Sequence, residues 1–369
     1  MGSNPTLSAI PIPGVGTIIK EARQVPLVLA GFGHVGQAFF GLLQEKDESL
    51  RQRYGLALKL RAVLKSGGAF LSDTEITKES VPDRPGQNMA HSPLWKPGQT
   101  VESVLRTVKP GVFVECTPSN IQTGEPGLGH VRAALRAGWH VVTASKGPLV
   151  VDFKGLRDLA QANHLILKYS AAAAAALPTL DIGIYSLAGT EILSLEGILN
   201  GTSNYILTRM GEGTAYEEAL REAQDKGIAE HNPELDVGGW DTAVKLLLIA
   251  NSVLRLDLSL QDIKVEGITQ IPPELPGMAT KEGRELKLIG RIKRVAGRWK
   301  ATVSPKAVDR SHPLFGVSGT NKGISFLTDA MGTITVTGGK SDPRGAAAAL
   351  LKDIINIFSS SAETSPPWR

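Results

Sequence analysis

The chain has 369 residues, a formal net charge of +4 and 42% hydrophobic residues, which suits about two globular domains of ordinary composition. The charge is weak and spread out, with no basic block and no aromatic-basic interleaving, so nucleic acid is not an expected partner. The single cysteine, Cys116, excludes an internal disulfide framework and suits a reducing compartment, the histidines lack zinc-site spacing, and no apolar run is long enough to span a membrane.

Residues 1–24 are rich in Pro and Gly and read as a flexible leader. Residues 25–30 (VPLVLA) follow as a short apolar strand. It runs into Gly31-Phe32-Gly33-His34-Val35-Gly36 and then a helical pattern. Strand, Gly-x-Gly-x-x-Gly, helix is the frame a dinucleotide site needs. Gly31 permits the tight turn, Gly33 lets a pyrophosphate approach the backbone, and Gly36 lets helix pack on strand. The free N–H groups of the helix start then face the phosphates. Residues 56–64 read as the second strand, which ends in Lys65-Ser66. An NAD site commonly has an acid there for the ribose hydroxyls, whereas a cation and a hydroxyl suit a 2′-phosphate. Lys65 therefore points to NADP, with NAD kept open by Asp73 a little further on.

Residues 82–100 read as a polar surface loop and residues 101–108 as a helix. Residues 111–115 form a buried strand pattern, so Thr117 and Pro118 fall beyond its carboxyl end, on the nicotinamide side of the cleft. Cys116 has no activating base beside it and reads as a small core residue. Helix over 130–137, strand over 139–143, helix over 153–163 and strand over 165–168 continue the alternation of a doubly wound parallel sheet. Lys146 lies at a strand's carboxyl end, on the same rim. Six alanines, 171–176, precede Pro178; the segment reads as a tight crossing between domains rather than a helix.

Residues 191–199 alternate like a strand and meet Asn200-Gly201-Thr202-Ser203-Asn204 at the start of a helix. Its N–H groups suit a substrate carboxylate; capping by Ser203 or Asn204 is the simpler account. Residues 214–217 (TAYE) read as a capping box for a helix that ends at Gly227. Then come Glu230, Asp236, Asp241 and Lys245. A helix starting near Gly239 would put Asp241 and Lys245 on one face. The cluster can hold an ammonium group and still offer a lysine as proton donor. Residues 255–337 read as short strands and turns with few candidates for chemistry, and 344–358 as an Ala-rich helix that follows a glycine turn at Gly338-Gly339.

These segments together resemble the homoserine dehydrogenase family, from about residue 25 to 358. The most specific parts are the glycine motif, VVTASKGPLV at 141–150, ILNGTSNYILTRM at 198–210 and AEHNPELDVGGWDTAVKLLLIA at 229–250. The resemblance implies an α/β fold: a Rossmann-type dinucleotide-binding domain over 25–168 and 338–369, and an α+β substrate-binding and dimerisation domain over 169–337. It implies NAD(P)-linked interconversion of L-homoserine and L-aspartate 4-semialdehyde, in threonine and methionine biosynthesis, by a cytoplasmic homodimer.

Residue by residue, Lys245 matches the acid/base lysine, and Asp241 and Glu230 match acids that bind homoserine. Asp236 matches an acid near the substrate, Lys146 the lysine between nicotinamide and substrate, and Gly201 and Thr202 the loop around the amino acid. Gly339 joins the nucleotide side. The carbonyls of Ala173, Ala175 and Leu177 match those that hold an alkali cation, Na⁺ or K⁺. Here the chain departs from the family: Ser170 stands for a glutamate and alanines for glycines. The end of the chain soon after residue 358 implies no carboxyl-terminal regulatory domain. Two other readings stay open, a paralogue that reduces another small amino-aldehyde and a non-catalytic NADP-binding sensor.

Overall fold

The computed structural model describes residues 21–81, 92–339 and 342–359. Most of the expected leader, half of the polar loop at 82–100 and the last ten residues lie outside them.

The first sheet is built from β1 (Arg23–Ala30), α1 (His34–Tyr54), β2 (Leu56–Lys65), β3 (Gly68–Leu71), β4 (Trp95–Pro97), α2 (Val101–Thr107), β5 (Val112–Glu115), α3 (Gly127–Arg136), β6 (His140–Thr143), α4 (Gly147–Ala162) and β7 (Leu167–Lys168). Its seven strands lie in the order β4-β3-β2-β1-β5-β6-β7. The run from β2 to β7 is parallel, and β3 and β4 extend it antiparallel. Helices cover a parallel sheet on both faces, so its central strands are continuously apolar: Leu27, Val28, Leu29 and Ala30 are fully buried. The carboxyl ends of β1, β2, β5 and β6 open on one rim.

The chain continues through α5 (Ser170–Ala174), α6 (Thr179–Asp181), β8 (Ile192–Ile198), α7 (Gly201–Gly211), α8 (Tyr216–Asp225), α9 (Glu234–Val237), α10 (Trp240–Val253), β9 (Ile263–Val265), α11 (Leu275–Lys281), β10 (Glu285–Val295), β11 (Arg298–Val308), β12 (Lys322–Thr328), β13 (Thr333–Gly338) and α12 (Pro343–Ser359). The second sheet has the order β13-β12-β8-β10-β11-β9 and is antiparallel apart from the β9–β11 pair. The apolar α10, with Leu246 to Ala250 all buried, packs on β10. The last helix, α12, returns to pack against α1 and α5. Among the described residues no helix is long and apolar enough to cross a membrane.

Several local expectations are corrected. The alanine run is not free of helix, as expected of a tight crossing: residues 170–174 form one helical turn, and Ala175 ends it at φ 53°. Alanine's helical propensity wins for a turn before the chain must change direction. α4 starts six residues before the expected position 153, because Asp152 breaks it with φ −146° and its carboxylate accepts the Gly155 N–H at 3.1 Å. The periodicity starts afresh after that kink. The Thr214 capping box does not form; α8 has Ala215 at its N-cap with no side-chain bond, and Thr214 N–H donates to the Arg209 carbonyl. β10 and β11 are not short: each has 11 residues, joined by Ala296 and Gly297, both at positive φ. That turn lacks the Asn-Gly or Asp-Gly that marks a tight hairpin in sequence.

Candidate active site

The glycine motif forms a tight turn between β1 and α1. Gly31 has φ 90°, and a Cβ there would lie 2.5 Å from the Cys116 carbonyl carbon. A Cβ on Gly36 would lie 2.2 Å from the Gly31 oxygen, so helix and turn touch backbone to backbone. At Gly33 a Cβ would meet nothing within 4 Å, which leaves the space over the helix start free for a phosphate. Beside the turn is a cavity of about 860 Å³. Gly31, Phe32, Gly33, His34 and Val35 line one wall, Lys65 and Ser66 a second, Thr117 and Pro118 a third. Lys65 stands over the Phe32 ring, 5.6 Å from its centre. Asp73 is not among the lining residues; its carbonyl takes the Arg61 guanidinium instead. These residues fit a dinucleotide.

Glu115, overlooked in the sequence, holds the cavity's far wall. It is fully buried at the end of β5, accepts the Thr117 N–H at 2.6 Å and meets His130 Nδ1 at 2.9 Å. A strand-terminal acid between apolar residues was the available signal. Cys116 is a cavity-lining neighbour whose thiol is pushed well up by burial and then by Glu115, so it stays protonated.

The charged cluster assembles where β6, β8 and α10 meet. Asp241, in the first turn of α10, is 8% exposed. Its Oδ1 lies 2.6 Å from Lys146 Nζ and its Oδ2 lies 2.6 Å from Lys245 Nζ. Burial works to push the Asp241 carboxyl up, but the two lysines outweigh it and hold it well below the usual carboxylate range. Asp241 in turn holds the Lys146 ammonium above the usual lysine range, against burial, with Asp236 and Glu230 adding to it. Lys245 also donates to the Leu199 carbonyl at 2.9 Å.

Asn200 ties the acids together. Its amide donates to Asp236 Oδ1 at 2.6 Å and to Asp241 Oδ2 at 2.8 Å, while its Oδ1 accepts the Ser203 N–H at 2.8 Å. It is thus the α7 cap in place of Ser203 or Asn204. Burial, then the nearby Asp241, pushes Asp236 above the usual range, opposed by the Asn200 amide. Gly201 and Thr202 open α7 beside this amide, with the Thr202 hydroxyl bonded to the Ile228 carbonyl. Glu230 is exposed at the mouth, and among the described residues its carboxylate joins no ion pair.

Two expected groups are placed differently. Gly339 does not line the nucleotide cavity; it backs onto the Ala176–Leu177 segment, where a Cβ would lie 2.8 Å from the Leu177 nitrogen. The carbonyls at Ala173, Ala175 and Leu177 do not fit an alkali cation. The Leu177 carbonyl accepts the Thr179 N–H at 2.8 Å, and the Ala174 carbonyl between them accepts the Lys322 ammonium at 3.0 Å. Ser170 adds no charge; its hydroxyl is engaged by Asp353 and Lys352. Lys322 was hidden in sequence among the many cations of residues 255–337.

Comparison with known proteins covers both halves of this arrangement. Residues 31–170 match the model described as "Homoserine dehydrogenase, NAD binding domain", and residues 178–355 match "Homoserine dehydrogenase". A homoserine dehydrogenase of Methanocaldococcus jannaschii is 36% identical over 90% of this chain and 98% of its own. An NAD(+)-dependent homoserine dehydrogenase of Pseudomonas canavaninivorans is 34% identical over 90% of this chain and 96% of its own. The crystal structure of a putative homoserine dehydrogenase from Archaeoglobus fulgidus superposes with a TM-score of 0.79, at 35% identity, covering 90% of this chain and 99% of that one.

Proposed function

We propose the following roles on the premise that this chain belongs to the homoserine dehydrogenase family of oxidoreductases. The reaction is interconversion of L-homoserine and L-aspartate 4-semialdehyde, at the cluster of Asp241, Lys146 and Lys245, on the route to threonine and methionine in the cytoplasm. The observation that carries it is the pair of lysines held on one buried carboxylate beside the dinucleotide cavity. The division of labour is residues 25–168 with 338–369 for the nucleotide and 169–337 for substrate and dimerisation.

A nicotinamide dinucleotide held by residues 31–35, Lys65, Thr117 and Pro118 would supply the hydride chemistry. In the reductive direction Lys245 gives a proton to the aldehyde oxygen as negative charge develops there. Its bond to the Leu199 carbonyl fixes the ammonium's position before substrate arrives. Lys146, at the carboxyl end of β6 and two residues past the cavity-lining Ala144, stands between nucleotide and substrate and stabilises the same oxygen. In the oxidative direction Lys245 must first lose its proton. Before substrate binds, Asp241 Oδ2 is paired with Lys245 at 2.6 Å. The substrate ammonium, binding to Asp241, Asp236 and Glu230, competes for the carboxylate and frees Lys245 to accept the hydroxyl proton. Gly201 and Thr202 offer N–H groups to the substrate carboxylate.

Lys65 and Ser66 favour NADP, since a cation and a hydroxyl close β2 where an acid would serve a free ribose. A homodimer is supported by β13, a half-exposed strand on one end of the second sheet, and by exposed Leu327 and Met331 beside it. The test is absorbance of reduced nicotinamide with purified protein and L-homoserine, run with NAD and NADP in parallel. Turnover with either supports the reading, and folded, nucleotide-binding protein with no turnover overturns it.

A further inference from the structure

Lys322 opens β12, is 2% exposed, and among the described residues forms no ion pair. Its Nζ donates instead to the Ala174 carbonyl at 3.0 Å, at the end of the α5 turn. A buried ammonium with neutral partners alone is costly, so its retention asks for a reason. Burial and then Lys245 lower it to about 8, with Asp241 and Asp342 opposing. It therefore lies within the field of the substrate cluster.

The lysine is presented by a built support. The side-chain amide nitrogen of Asn204, itself fully buried on α7, lies within hydrogen-bond reach of the carbonyls of Val317, Gly319 and Asn321, among which it shares its two N–H donors, and these residues lead directly into Lys322. On the receiving side, Ala175 is held at φ 53°, a conformation a side chain takes only when its surroundings impose it. Gly339 presses on Leu177 from behind. The α5 turn packs on α10, the helix of Asp241 and Lys245. The Ala174 carbonyl thus joins Lys322 to a turn packed on the helix of the cluster, and the carboxylate that meets Ser170, that of Asp353, is already paired with the Lys352 ammonium at 2.7 Å.

We propose that the Lys322 ammonium is a tethered internal cation, a positioning residue that holds the 170–177 segment in place of an alkali ion, so that the enzyme works without one. The inference rests on the reading of the substrate cluster given above. A covalently attached charge takes up the Ala174 carbonyl and repels a second cation from the adjacent ones.

The test is turnover of L-homoserine at one ionic strength in potassium, sodium or tetramethylammonium chloride, the last being too large to enter. Wild type should vary by less than about twofold across the three, while Lys322→Ala in tetramethylammonium should lose about tenfold or more in kcat/KM for homoserine. Potassium should restore much of that loss in Lys322→Ala, since a small ion can fill the vacated space, and the KM for nucleotide should not move. A wild type that needs sodium or potassium overturns the proposal, as does a Lys322→Ala variant fully active in tetramethylammonium. Should Lys322→Ala not fold, Lys322→Arg keeps the charge and should stay indifferent to the salt; a potassium requirement there overturns the proposal. Melting temperature reads the same point without turnover. Potassium should raise it for Lys322→Ala and leave wild type unmoved, and indifference of the variant overturns the proposal. Absence of wild-type turnover in every salt would instead sink the reading of the cluster.

Discussion

Lys146 Nζ lies 2.6 Å from Asp241 Oδ1, joining residues 95 positions apart in the chain. One comes from the rim of the nucleotide sheet and the other from the first turn of α10. The contact therefore closes the two sheets onto one another at the point where hydride and proton must move. Because Lys245 takes the second oxygen, Asp241 sets the charge state of the whole cluster.

Asp241→Asn should leave two lysines facing each other with no carboxylate between them. We expect kcat/KM for homoserine to fall by about a hundredfold or more, and stability by about 3–5 kcal/mol, the usual cost of breaking a buried pair. Steady-state kinetics and urea unfolding measure the two effects. Wild-type kinetics in a folded variant would remove Asp241 from the mechanism.

Asn200→Ala removes the amide that opposes the upward push on Asp236. The carboxyl then ionises at higher pH than in wild type. The acid limb of kcat/KM for homoserine should therefore move to higher pH, and the KM at neutral pH should rise by about tenfold with a smaller change in kcat. A pH profile identical to wild type would show that Asp236 does not meet the substrate.

Lys65→Glu should reverse the charge that closes β2. The expected outcome is a loss of about tenfold or more in kcat/KM with NADP and a change of less than about threefold with NAD. Parallel titrations of the two nucleotides give the ratio. An equal loss with both would mean that Lys65 meets a part they share.

Lys322 titrates at about 8 in the fold, below the usual lysine value of 10.5, because of burial and Lys245, with Asp241 and Asp342 opposing. The unfolded chain then binds the extra proton between those two pH values, so this group's contribution to stability rises with pH across that window. The rise amounts to about 3 kcal/mol at most. Lys146 acts oppositely and later, since its raised value loses stability only above the usual lysine range. The difference between wild type and Lys322→Met isolates the first effect, as urea midpoints from pH 7 to 10.5. A flat difference would mean that Lys322 is solvated better than its burial implies.

Local chemistry already wrote much of this protein into its sequence. The strand–glycine–helix motif specifies a tight turn because only residues without Cβ allow the contacts at Gly31 and Gly36. The alternation of short apolar runs and helical patterns specifies the parallel sheet, since both faces of each strand must be covered. The four-residue spacing of Asp241 and Lys245 specifies their ion pair once α10 starts at Trp240. What tertiary structure alone decided are the contacts between distant segments. Asn200 reads in sequence only as the residue that follows a strand, with capping left to Ser203 or Asn204; it bridges two acids because β8 ends beside the start of α10. Glu115 looks like the end of a strand until α3 brings His130 to it. Lys322 is one cation among many until the fold brings the start of β12 to the end of α5 and buries it against the Ala174 carbonyl. Periodicity and spacing report which neighbours share a face of one element; which faces meet, and which charges are thereby buried together, depends on packing across the whole chain.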